Sequence, residues 1–444
     1  MERHGKPVLP PGGSFVVGIP RSTSPFLVDV TSATSRTRYP AEDLGDSLAH
    51  TEDTAVFANV FSVLGHLKHL PPGFRDLMVE YSVCNAGRTA ARTLIPSRMR
   101  ANDNRWEFDP FGRDLWTAAG RLGAEIRRRG LTQLYQEIDL PYVRLLFDAA
   151  TRGVLVDGGE LERSPNAQEL KPILRRRDLR TGRVRSSYRW SLPGRAYANR
   201  PSLQNLHRED RRAVVAPPGH RLVYADLRAA DLAALAGLSG DRNLLAQFEP
   251  GEDIHAFTAR LAAGSGSPER NIGKALNLAS LYGAGTSAIA EKGRMTYDEA
   301  GRFEKKFWST IRRAREWCDG VFVRVLEPPH ELRNPFGRLA CFGLDVADGI
   351  DLDTLRRRVI SFAVSSTASD AFKVNLLRLA GVLPQGAHVV LPMHDGVLLE
   401  VPDEELERVV KACFKEMTVP ISQVPIPLGV KVEVGANWGE TERI

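Results

Sequence analysis

The sequence predicts a multidomain α+β chain, and three observations carry that expectation. A strand, an acid and a helix follow one another from Arg221 to Leu238, a second pair of strands brackets His394-Asp395-Gly396, and long helical segments lie between them. The length of 444 residues exceeds what one core organises at about 100–200 residues per domain, so two or three domains are expected.

Composition excludes several classes. A chain that is 43% hydrophobic and 26% charged, with a mean hydropathy of −0.24, is neither disordered nor collagen-like. No apolar run reaches the roughly 20 residues of a membrane helix. The opening MERHGKPVLPPGGS lacks the apolar centre of a signal peptide, so a cytoplasmic address away from membranes is expected. Cys84, Cys318, Cys341 and Cys413 lie far apart and suggest neither a disulfide framework nor a zinc module. A formal net charge of +6 leans mildly toward a polyanionic partner.

The elements follow in order. From Phe15 to Gly130 short apolar runs alternate with polar connections, and Asp53 to Leu70 carries a helical period behind an acidic start. Lys171 to Trp190 holds eight Lys/Arg against one acid, Asp178. A solvated basic face is its ordinary reading; a phosphate-tracking strand containing Arg183 and Arg185 is the sharper one. Arg221 to Ala225 reads as a strand ending at Asp226, followed by an Ala/Leu-rich helix from Ala229 to Leu238 that Ser239-Gly240 closes. Ser267-Pro268-Glu269 opens a helix over Arg270 to Tyr282, stopped by Gly283. Asp298 to Val325 reads as one long charged helix. AHVVLPM and VLLEV flank Asp395-Gly396 as a hairpin, since Asp-Gly readily supplies positive φ. Asp403 then caps an amphipathic helix, Glu404 to Met417, before the strand pattern PLGVKVEV.

Two carboxylates at strand ends, Asp226 and Asp395, would meet on one sheet and hold a pair of divalent ions. Phosphoryl transfer uses such a pair, with metals about 3.5–4 Å apart stabilising the attacking and leaving oxygens. Arg270 and Lys274 share one helical face, which Leu278 and Tyr282 continue. A cationic stripe ending in an aromatic ring suits a nucleoside triphosphate. Each residue also has an ordinary reading: His394 as a turn residue, Tyr282 as a core aromatic, Asp231 as a helix-start acid, His255 as a surface histidine.

Taken together, the motifs resemble family A DNA polymerases, the class of bacterial DNA polymerase I. VYADLRAADLAALAGLSGD is similar to the first palm motif, with Asp226 as the ligand of both metals and Asp231 at the sugar pocket. Glu252-Asp253-Ile254-His255 resembles the segment whose His approaches the triphosphate, and RNIGKALNLASLYG resembles the fingers helix. Met393-His394-Asp395-Gly396 stands where the family has His-Asp-Glu. Gly194-Arg195 with Pro201-Ser202-Leu203-Gln204-Asn205-Leu206 resembles a GR…PxLQN stretch whose Arg contacts the primer end. Thr367 to Asp370 and Val434 to Trp438 also match, and coverage begins near Glu137.

The resemblance implies a right-hand polymerase palm built on an antiparallel sheet, with helical fingers near 240–330, across residues 136–444. It implies a DNA-directed DNA polymerase that joins dNTPs to a primer 3′ end on primer-template DNA, with two Mg²⁺, or Mn²⁺ in their place. Asp226 and Asp395 would hold the metals and Lys274 would assist the leaving pyrophosphate. Arg270, His255, Asp231, Leu278 and Tyr282 would bind the dNTP, and Arg195, Gln204, Asn205, Arg357 and His394 the nucleic acid.

The departures carry expectations of their own. Gly396 replaces the usual Glu, Asp231 is one methylene shorter than the usual Glu, and Leu278 replaces an aromatic residue under the sugar. Ser361 and Ser365 stand where the family has Asn and Gln. The thumb is reduced to about residues 160–172, which implies low processivity or a protein partner that supplies the grip. Residues 1–135 would form a small α/β domain resembling a degenerate 3′–5′ exonuclease. Asp29-Val30-Thr31 is the nearest approach to its acidic strand, with no acidic partner near Asn59, so no proofreading is expected. Two other readings stay open: a catalytically inactive nucleic-acid-binding relative, and a polymerase with relaxed sugar selectivity or untemplated activity.

Overall fold

The computed structural model describes residues 15–18, 27–31, 36–40, 55–57, 69–84, 113–263 and 269–444. In the N-terminal part, β1 (Phe15–Gly18), β2 (Leu27–Thr31), β3 (Arg36–Pro40), β4 (Ala55–Phe57) and β5 (Phe74–Asp76) form a mixed sheet in the order β3-β2-β1-β4-β5. β4 runs parallel to both neighbours. At residues 55–57 this corrects the helix expected from Asp53 to Leu70: Ala55, Val56 and Phe57 are fully buried in an inner strand, whose continuous apolar run carries no period of 2 to betray it. Residues 58–68 lie outside the described residues, as does Asn59. Asp29 sits within β2, opposite Gly18 and Arg38.

Two helices, α1 (Leu77–Cys84) and α2 (Arg113–Arg128), pack together beside this sheet. Arg75 of β5 grips both, through Glu80 at 2.6 and 2.7 Å and the Ala119 carbonyl at 2.7 Å. A single π-helical turn, Tyr135–Asp139, runs into α3 (Leu140–Arg152).

After β6 (Val154–Leu155) come two short helices, α4 (Gly158–Arg163) and α5 (Ala167–Leu174). The basic segment is therefore not one strand. It begins inside α5, turns, and continues as β7 (Arg183–Val184) and β8 (Ser187–Trp190), the latter paired with β9 (Ala196–Asn199).

The second sheet positions the site. β10 (His220–Leu227) alternates cleanly: Val223, Ala225 and Leu227 face the main core, while Leu222 and Tyr224 face a smaller apolar cluster that includes Trp438. From it the chain enters α6 (Ala230–Ser239), closed by Gly240 in the left-handed region, φ 60°. Next come α7 (Ile254–Ala262), α8 (Arg270–Leu281), α9 (Thr286–Gly293), α10 (Tyr297–Thr310) and α11 (Arg312–Leu326). Where one long helix was expected over Asp298 to Val325, α10 and α11 meet at a break: Ile311 leaves the helical region with φ −111° and ψ 52° and is fully buried. Burial of that side chain outweighs an otherwise continuous helical pattern.

The hairpin β11 (Glu331–Arg333) and β12 (Leu339–Cys341) precedes the 31-residue helix α12 (Leu352–Val382), which packs on α6. β13 (His388–Pro392) and β14 (Gly396–Pro402) form the expected hairpin, and α13 (Leu406–Glu416) leads to β15 (Val430–Gly435) and β16 (Glu442–Arg443). The sheet is antiparallel throughout, in the order β13-β14-β10-β15-β16. Its Asp-Gly turn works differently from expectation, for neither Asp395 nor Gly396 adopts positive φ.

One polar knot ties these layers. Asp139, Arg338, Asp370 and Lys373 are at most 3% exposed. Arg338 reaches Asp139 and Asp370 at 2.7 Å each, and Lys373 reaches them at 2.8 and 3.2 Å. Two acids meet two bases, joining the π-helical turn, the β11–β12 hairpin and α12.

Candidate active site

β10 and β14 bring the two predicted carboxylates together. Asp226 lies opposite Gly396 of β14 and Lys431 of β15, and the amide of Leu227 donates to the carbonyl of Asp395 at 2.8 Å. Burial and the neighbouring charge of Asp395 push the Asp226 carboxyl up to about 7, against the pull of Lys274 and Lys431. Burial likewise raises Asp395, opposed by Arg195 and Lys274. Among the described residues neither carboxylate has an ion-pair partner within 4 Å. Two half-buried carboxyl groups, both raised by desolvation and without a salt bridge to neutralise them, form a donor set short of a cation.

The residues fit magnesium in one specific sense. No cluster of three or more His, Cys, Asp or Glu side chains forms a closed cage among the described residues. Magnesium is ordinarily held by one or two carboxylates with substrate phosphates and water completing its shell, and two carboxylates are what is present.

Helix α8 supplies the opposing charge. Gly273 lets it press onto α7: a Cβ there would stand 1.9 Å from the His255 carbonyl oxygen. The outward face carries Arg270, Lys274 and Leu278, all exposed. Lys274 is near enough to lower both carboxylates. Arg270 pairs with Asp253 at 2.8 Å, and Asp253 caps α7 through the amides of His255 and Ala256 at 2.8 and 3.0 Å. Burial, together with Arg270 and Lys274, pushes His255 down to about 4, and its Nδ1 lies 3.0 Å from the Asn277 carboxamide.

At the far end of α8 the Tyr282 hydroxyl donates to Asp231 and lies 3.0 Å from the Ser365 hydroxyl. Asp231 also pairs with Arg195 at 2.5 Å. A chain of polar contacts thus links Arg195, α6, the end of α8 and α12. His394 tilts over Tyr197, ring centroids 4.4 Å apart, and its Nδ1 is buried without a partner.

Other expected nucleic-acid contacts are placed differently. The Gln204 carboxamide accepts from the Ala198 amide and donates to the Pro392 carbonyl, each at 2.8 Å, so it braces the hairpin. Asn205 is exposed and bonded to Ser202 at 2.9 Å. Arg357 is exposed and lines a recess of about 240 Å³ with Tyr282, Trp308, Arg315 and Arg356. Arg183 and Arg185, expected to track phosphates, both have partners within the protein. Arg183 holds both oxygens of Glu400 at 2.9 Å and the Gly153 carbonyl at 2.8 Å, and Arg185 holds the Thr151 carbonyl at 2.9 Å. Both guanidinium groups fasten β7 and its neighbours. Lys171, Arg175, Arg176, Arg180 and Arg189 of the same segment stay exposed.

Two residues near the carboxylates were not singled out from sequence. Tyr224 was accessible in principle, lying two positions before Asp226 and hence on the same strand face. Lys431 was not, because only the register of β15 brings it to Asp226.

The family model for DNA polymerase family A matches residues 163–440. A thermostable DNA polymerase I of Thermus filiformis is 31% identical over 293 residues, covering 62% of this chain and 34% of that protein. The DNA polymerase I of Chloroflexus aurantiacus is 31% identical over 277 residues, 59% of this chain and 29% of its own length. That of Treponema pallidum is 27% identical over 342 residues, 70% of this chain and 34% of its own. The chain thus spans about a third of the length of the curated relatives it matches. Among solved structures, the POL domain of Pol1 from M. smegmatis, in complex with DNA primer-template and dNTP, superposes with a TM-score of 0.78 over 96% of each chain at 17% identity. That likeness extends the family fold across nearly the whole chain.

Proposed function

Because this chain belongs to DNA polymerase family A, we propose that it extends a primer 3′ end on a DNA template with dNTPs. The observation that carries this reading is the half-buried pair Asp226 and Asp395, set within electrostatic reach of the exposed cationic stripe of α8. Asp226 and Asp395 would hold two Mg²⁺, or Mn²⁺. When bound, such ions activate the primer hydroxyl and neutralise charge on the transferred phosphate.

The protein's own groups do the rest. Arg270 and Lys274 bind the triphosphate, Lys274 closest to the carboxylates and thus placed to offset charge on the departing pyrophosphate. His255, neutral at physiological pH, contributes a hydrogen bond rather than a charge. Tyr282 and Asp231 bound the sugar and base end of the pocket. The 3′ oxygen attacks the α-phosphorus, one P–O bond forms as the bond to pyrophosphate breaks, and the hydroxyl proton leaves to solvent.

Grip on the duplex is the weak part of this assembly. Where a thumb is expected, the chain has only α4 and α5, of 6 and 8 residues. Low processivity follows, with Lys171, Arg175, Arg176 and Arg180 providing salt-sensitive contacts to phosphates, and a protein partner supplying more. Proofreading is absent in this proposal.

Primer extension tests it directly. Wild type should extend a primed template with Mg²⁺, and Asp226→Ala and Asp395→Ala should not; equal extension by the variants, or none by wild type on any template, overturns it. One observation favours a looser variant of the same reading. Leu278 is an aliphatic side chain 42% exposed on the α8 face, and Asp231 is already held by Arg195 and Tyr282. Both would discriminate weakly against a 2′-hydroxyl. Measurable rNTP incorporation, within about a hundredfold of dNTP, is expected from a pocket whose selectivity rests on about 1–3 kcal/mol of packing.

A further inference from the structure

Asp226 is held by a hydroxyl from its own strand. Tyr224 Oη donates to Asp226 Oδ1 at 2.8 Å. The ring is fixed in turn. It meets Trp438 edge-on, centroids 6.0 Å apart, and Trp438 is buried beneath the Arg211 guanidinium, 4.3 Å from its ring centre. Across the sheet stands Gly396, the register partner of Asp226. A Cβ at 396 would lie 2.9 Å from Asp226 Oδ1 and 3.1 Å from Tyr224 Cε2. Gly396 does not have positive φ, so the position demands space and not conformational freedom. Among the described residues, Asp226 Oδ2 takes no hydrogen bond.

We infer that Tyr224 and Gly396 are a coupled positioning pair: the phenol fixes Asp226 in one orientation with Oδ1 engaged and Oδ2 free for a divalent cation, and the bare backbone at 396 makes room for it. The inference rests on the proposed cation site. Groups that orient a metal-binding carboxylate are commonly worth 10–100-fold in metal affinity. The arrangement also explains how a glycine is accommodated beside Asp226, since the Tyr224 ring and the carboxylate fill the space a side chain would take.

Binding of Mn²⁺ to the full chain, followed by electron paramagnetic resonance without nucleotide and with Asp226→Ala as the baseline, tests it. Tyr224→Phe keeps the ring on Trp438 and should weaken Mn²⁺ binding about tenfold with an unchanged melting temperature. Gly396→Ala should weaken it similarly, but much less in a Tyr224→Ala background, because the ring it crowds is gone. In extension assays the Mg²⁺ concentration for half-maximal rate should rise about tenfold in Tyr224→Phe, while the dNTP KM at saturating metal stays within about twofold. Wild-type Mn²⁺ affinity in Tyr224→Phe, or full additivity of the two changes, overturns the pairing alone. Binding no better in wild type than in Asp226→Ala overturns the cation site and the pairing with it.

Discussion

Two pairs of aspartates, Asp139 with Asp370 in the interior and Asp226 with Asp395 half-buried at the sheet, are treated in opposite ways. The first is wrapped by Arg338 and Lys373, with Asn334 donating to Asp370 at 2.8 Å. Burial would raise Asp139, but Arg338 and Lys373 outweigh it and hold the carboxyl below its ordinary range. At the second pair burial wins, and both carboxyls rise. The same side chain is neutralised where it builds the fold and left short of positive charge at the proposed cation site. That difference is what a structural ion cluster and a binding site would show, without reference to sequence motifs.

Substitutions should divide along that line. The largest effect is expected at the second pair: Asp395→Ala or Asp226→Ala should cost at least about a thousandfold in extension rate, from loss of several kcal/mol of transition-state stabilisation, while the melting temperature holds. A parallel collapse in stability would erase the distinction. Next comes Asp370→Ala, which strands Arg338 and Lys373 in the interior and should cost about 3–5 kcal/mol in denaturant unfolding. The sign should reverse for Asp226→Asn in chelator. Removing a partly desolvated charge that has no ion-pair partner should stabilise the fold by about 1–2 kcal/mol, and any destabilisation there would mean the Tyr224 hydrogen bond compensates the carboxylate.

The smallest effect concerns His255. Its folded value lies near 4, below the ordinary 6.5, so the unfolded chain binds the extra proton more readily between those values. Stability therefore rises with pH across about 4 to 6.5, and the penalty is fully present only below the folded value. A ring titration by NMR should show a midpoint near 4 in wild type, moving upward when Arg270 and Lys274 are replaced by Gln.

Much of the catalytic end could be read from the chain alone, because its parts are local. The alternation of β10 ending at Asp226, the hairpin at Asp395 and the four-residue step from Arg270 to Lys274 each reside in one short segment. What escaped depends on partners distant in sequence. Nothing in the basic segment announces that Arg183 is held by Glu400, 217 residues away. Lys431 and the Arg338 cluster exist only through register and packing. The misplaced helix over residues 55–57 and the break at Ile311 have one cause: burial of apolar residues from several sides hides or overrides periodicity.

Gly273 has a bearing on how this protein can change over generations. With a backbone oxygen 1.9 Å from where any side chain would begin, far inside van der Waals contact, the position admits no substitution that keeps α7 and α8 in place. Leu278, on the open side of the same helix, is free to vary. Mutational drift on this helix is thereby channelled: innovation is open on the exposed face, where the proposal puts substrate, and closed on the face that meets α7, so a change of substrate preference would leave the spacing of Arg270, Lys274 and His255 inherited intact.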